Sequence, residues 1–91
     1  MNISLGNTLT WNPVVGVASY TIELISQVGE SLALFSRTDA SISALALLAN
    51  RTAGTYQVRV RGEADGFIGA WSDVLILEFV LFEAPTGLTV V

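Results

Sequence analysis

Tyr56, Val58 and Val60 alternate with Gln57, Arg59 and Arg61 without a break. A period of two puts every apolar residue on one face and every polar residue on the other, which only a half-buried β-strand satisfies. The same alternation recurs along the chain. Leu9 and Trp11 stand against Thr8, Thr10 and Asn12, while Tyr20, Ile22 and Leu24 stand against Thr21, Glu23 and Ile25. Ser31 to Arg37 and Val74 to Phe82 read as two further strands. Between the runs lie turn residues: Asn12-Pro13 with Gly16, Gln27-Val28-Gly29-Glu30, Asn50 to Gly54, and the glycine-containing loop Glu63 to Ala70. Ile42 to Leu47 is rich in Ala and Leu, a helical preference. Its shortness and flanking turn residues favour a strand leading into a loop. Short strands at regular spacing, with no convincing helix, predict an all-β fold, an antiparallel β-sandwich.

Ninety-one residues suffice for one small domain. Hydrophobic residues make up 52% of the chain, too many for disorder. That is also more than a small monomer needs, so further burial against other subunits is expected. The alternative is a Val/Leu/Ile-rich sandwich core. The longest apolar stretch, Val74 to Phe82, is interrupted by Glu78. It falls short of the roughly 20 residues needed to cross a bilayer as a helix, so no membrane partner is expected. The first residues lack the basic and apolar regions of a signal peptide.

Charge and residue types exclude several kinds of chemistry. The net charge is −4, with no Lys, no His and four Arg. Nucleic acid requires a basic patch to neutralise phosphates, and none is expected here. Arg59 and Arg61 share one strand face beside Glu63, which reads as a solvated face with cross-strand carboxylate partners. Without Cys there is no disulfide and no thiolate metal site. Asp39, Asp65 and Asp73 are isolated in turns and make no calcium-loop spacing. No Asp/Glu pair forms a recognisable acid–base motif. No catalytic residue, cofactor, metal or small-molecule substrate is therefore expected. Arg61-Gly62-Glu63 differs by one methylene from the integrin-binding Arg-Gly-Asp and sits at a strand end. Phe67 and Ile68 are different. Two bulky apolar residues between glycines at a loop tip point to a partner, unless they fold back over the end of the sandwich.

The motifs together resemble a known family. Leu9-Thr-Trp11-Asn-Pro13 followed by Gly16-Val-Ala-Ser-Tyr20-Thr-Ile22 resembles the second and third strands of a fibronectin type III domain. Gly54-Thr-Tyr56-Gln-Val58-Arg-Val60-Arg61 is similar to its penultimate strand, and Gly69-Ala-Trp71-Ser72 to the start of its last. Ala84-Pro-Thr-Gly-Leu88-Thr-Val90-Val91 is similar to its first strand. The resemblance implies an immunoglobulin-like sandwich with Trp11, Tyr20, Ile22, Tyr56, Val58 and Val60 in the core. It also implies a Tyr56 hydroxyl bonded back to loop backbone.

The order of the parts departs from that plan. Residues 1–83 read as a sandwich lacking its first strand, and 84–91 as that strand displaced to the C-terminus, a circular permutation. The resemblance implies that first and last strands run in the same direction, so the tail would have to travel the length of a strand, ~20 Å or more, to rejoin its own domain. The connector, about residues 81–85, reaches at most ~17 Å when fully extended, and Pro85 restricts it further. Donation to a neighbouring subunit by β-augmentation is expected instead, burying Leu88 and one of Val90 or Val91. Such a contact is head-to-tail and closes into a ring or continues as a filament. Self-closure of the permuted domain, and a fragment carrying the start of a following module, are the alternatives. The expected function is a non-catalytic structural module that assembles with copies of itself or with a larger particle. A bacteriophage virion component assembled in the cytoplasm fits this best. The alternatives are a spacer or binding module of an extracellular or cell-surface adhesin or carbohydrate-active enzyme, and an engineered permuted binding scaffold.

Overall fold

The alternating runs become strands wherever one of their faces finds a core. In the computed structural model, which describes residues 2–82 and 85–91, the elements are β1 (Asn2–Ile3), β2 (Thr8–Thr10), β3 (Ser19–Ser26), β4 (Ser31–Arg37), β5 (Ser41–Ser43), α1 (Ala44–Leu47), β6 (Gly54–Ala64), β7 (Phe67–Ile68) and β8 (Leu75–Phe79). The larger sheet runs β1-β8-β6-β3-β4, with β7 folded back on β6, and β2 pairs with β5 in a second, two-stranded sheet. Ile22, Leu24, Val58, Leu77 and Phe79 of the larger sheet share one buried cluster with Ile42 of β5, and Leu9 of β2 packs against it from a half-buried position. The protein is therefore nearly all-β, in an arrangement compatible with a β-sandwich. Each fully buried aliphatic or aromatic side chain in that cluster contributes roughly 1.5–3 kcal/mol relative to exposure.

The structure corrects four expectations. The sheets are not purely antiparallel, because β1 pairs with β8 in parallel, Asn2 opposite Glu78 and Ile3 opposite Phe79. The segment before Leu9 is thus itself a strand, anchored by the buried Ile3. Of the strand expected over Ile42 to Leu47, only Ile42 and Ser43 are extended, within β5, and Ala44–Leu47 makes one helical turn. The Ser43 side chain caps that turn by accepting from the Ala46 amide, and the turn buries Ala44 and Leu47 in the core. The region 63–70 is not all loop. Asp65 and Gly66 both have positive φ (48° and 83°), the geometry of a tight two-residue hairpin turn, and they carry the chain from β6 into β7. Finally, the last strand ends at Phe79 rather than Phe82.

The pairing defines two poles. Gly54 lies opposite Phe79 and Tyr56 opposite Ser26, so the end of β8 lies at the pole of the β3–β4 turn. The opposite pole carries the β6–β7 turn and the loop of residues 12–18, tied down by the Ala18 amide donating to the Glu63 carbonyl. Chain direction follows: β2 runs toward this loop pole, while β1 and β8 run away from it. Residues 85–91 belong to neither sheet. The molecule measures 61 × 27 × 21 Å, although its longest strand, β6, spans only about 36 Å.

Candidate functional site

Two sheet edges lie open beside each other. β2 bonds to β5 along one edge, and among the described residues no strand lies along the other. On β8, β1 covers Glu78 and Phe79, and among the described residues no strand pairs with Leu75 to Leu77 on that side. Between the two edges is a cleft of about 180 Å³. Leu9 and Trp11 form one wall, Ile22, Val58 and Val60 the floor, and Leu75 the other wall. The cleft explains a departure from the expected core. Tyr20, Ile22, Tyr56 and Val58 are buried, but Trp11 and Val60 are only half-buried and pack against the cluster from its margin. Trp11 meets the Tyr20 ring edge-on at 5.4 Å, while its buried indole Nε1 has no hydrogen-bond partner.

Both tyrosines use their hydroxyls to hold loops. The Val14 amide donates to the Tyr20 hydroxyl at 2.9 Å, and the Tyr56 hydroxyl donates to the Thr52 carbonyl at 2.7 Å. Tyr20 thereby holds the loop of residues 12–18 at the loop pole.

The outer face of the larger sheet is charged and largely paired within itself, although the buried Arg61 Nε finds no hydrogen-bond partner among the described residues. Arg59 Nε donates to Glu23 across β3 and β6 at 2.6 Å, and Arg61 lies 3.9 Å from Glu63. Glu63 also accepts from the Thr21 hydroxyl. Burial pushes the Glu23 carboxyl up, but the hydrogen bonds from Ser31 and Arg59 and the charges of Arg59 and Arg61 outweigh it, leaving the group below its ordinary value. Both guanidiniums also lie over the Trp71 ring, 4.2 and 4.4 Å from its centre. Next to it, Ser72 is clasped to β6: its amide donates to the Val60 carbonyl at 2.8 Å and the Val60 amide donates to its hydroxyl at 3.0 Å. These arginines are engaged with the protein's own carboxylates and an aromatic ring. Among the described residues no group of three or more Asp and Glu is placed to hold a metal ion.

The loop pole exposes large apolar side chains beside the carboxylates of Glu63 and Asp65. Phe67 is 80% exposed and Ile68 63%, so neither folds back over the end of the core. With Val15 and Val17 they line a shallow hollow. Val15, fully exposed, was not singled out in the sequence, although two consecutive valines after a proline in a loop were the available signal. Leu88, Val90 and Val91 are essentially fully exposed, at 97%, 100% and 121%. Within one copy they are not brought to Phe67 and Ile68, because β8 leads into the tail from the other pole. Ala84, the first residue of the expected displaced strand, lies outside the described residues, as do Met1 and Glu83. No family model matches the chain, and neither does any curated protein or solved structure.

Proposed function

We propose that this chain is a non-catalytic structural module that associates with copies of itself head-to-tail through its C-terminal tail. In this reading the domain is fibronectin type III-like and permuted, and residues 86–91 serve a neighbouring subunit as its first strand. The supporting observation is the tail itself. Leu88, Thr89 and Val90 alternate as in a half-buried strand, yet both apolar members are exposed and unpaired. Burying each stabilises an assembly by roughly 1.5–3 kcal/mol. The loop pole, with Phe67 and Ile68, lies at the far end of the body and provides a second contact surface for the arriving subunit.

A head-to-tail contact propagates, which suits a repeating particle such as a bacteriophage virion assembled in the cytoplasm. A second setting, a spacer module in an extracellular adhesin or carbohydrate-active enzyme, is favoured by the tail and the loops lying at opposite poles, as linked modules require.

Deleting residues 86–91 tests the reading. Sedimentation should show the intact chain associating and the shortened chain losing ordered association. The segment added back as a free peptide should cap the exposed edge and yield soluble monomers. Identical sedimentation of the intact and shortened chains would rule the reading out.

A further inference from the structure

We infer that the acceptor for the tail is the cleft between β2 and β8, and that it takes the tail of a second copy antiparallel to β2. This assignment rests on the self-association proposed above and adds its receiving site, direction and facing.

Direction decides between the chain's own tail and a neighbour's. A strand antiparallel to β2 must start at the loop pole and run away from it, as β1 and β8 do. The chain's own tail begins at the other pole and would run alongside β2 in parallel. The adjoining part of the β8 edge is also taken, because β1 pairs with Glu78 and Phe79 there. A tail arriving from another copy at the loop pole has the required direction. It would run down the cleft toward the start of β1, which continues along the same line.

Length and chemistry agree. The open edge of β8, Leu75 to Leu77, is about 10 Å long at strand spacing, and the six residues from Thr86 to Val91, about 20 Å when extended, are long enough to span it. The tail carries no charged side chain, and the cleft that would receive it is mainly apolar, with Leu9, Trp11, Ile22, Val58, Val60 and Leu75 joined by Arg59 and Asp73. Period-two alternation puts Leu88 and Val90 on one face. With that face in the cleft, Thr89 and Val91 point outward. Thr8 and Thr10 are likewise exposed on β2, flanking the half-buried Leu9, so Thr89 comes to lie across from one of them.

The absence of cysteine makes engineered cross-linking unambiguous. Three chains are prepared, carrying Thr89→Cys, Thr8→Cys or Thr10→Cys, all at exposed positions that leave the core intact. Cross-strand neighbours lie close enough for a disulfide, whereas residues with Cα atoms more than about 7 Å apart do not. Mixing the tail variant with each β2 variant under mild oxidation should give a linked heterodimer as the dominant product in one pairing. Neither variant alone should cross-link to a comparable extent. Absence of the heterodimer in both pairings, with tail-dependent association intact in the unsubstituted chain, would overturn the cleft as acceptor and leave self-association standing. A doubly substituted chain that closes within itself at high dilution would also overturn it, in favour of the chain's own tail. An unsubstituted chain that does not associate would remove both.

Discussion

Tyr56 shows how one side chain serves two requirements. Its ring lies in the buried cluster, and its hydroxyl donates to the Thr52 carbonyl in the loop four residues before it. Removing only the oxygen isolates the second. Tyr56→Phe should cost on the order of 1 kcal/mol, the net value of one such bond. The change should appear as a lower denaturant midpoint with an unchanged slope. An unchanged midpoint would show that the loop does not depend on the bond. Trp11 was harder to read. Its alternation with Thr10 and Asn12 marks an inward-facing residue, but nothing local tells that its edge of the sheet is open. Burial there depends on β8, more than sixty residues away in the chain.

At the scale of elements, legibility followed periodicity. β3 and β6 have one face in the core and were evident from alternation alone. β1 was not, since two residues carry no period and its partner lies at the far end of the chain. α1 and the end of β5 were ambiguous because Ala and Leu suit either state in so short a segment. The Ser43 cap and the need to close the core with Ala44 and Leu47 settle Ala44–Leu47 as helix. β7 was marked by Asp65-Gly66, a turn signal hidden inside what read as a glycine-containing loop. In β8, Leu77 and Phe79 face inward while Ile76 and Glu78 are exposed. Leu77→Ala should therefore cost about 2–5 kcal/mol in chemical denaturation, and Ile76→Ala no more than about 0.5 kcal/mol. Equal costs would mean a register slipped by one residue, which exchanges the two faces.

For the molecule as a whole, the sequence shows an apolar strand-like tail and an apolar loop, but not their placement at opposite poles or the cleft between β2 and β8. Those depend on β1 sharing the edge of β8 and on β2 running the other way, which are relations between distant segments. Opposed poles give the chain a head and a tail, and a cleft that its own tail meets in the wrong direction. In the proposed assembly, copies complete one another through that tail. Light scattering on the unaltered chain over a wide dilution series tests it most directly. Such assembly should give a mass that rises with concentration from the 9.7 kDa of a single chain through its multiples. A mass fixed at 9.7 kDa throughout, with residues 86–91 resistant to proteolysis, would contradict it by showing that the tail is held within its own copy.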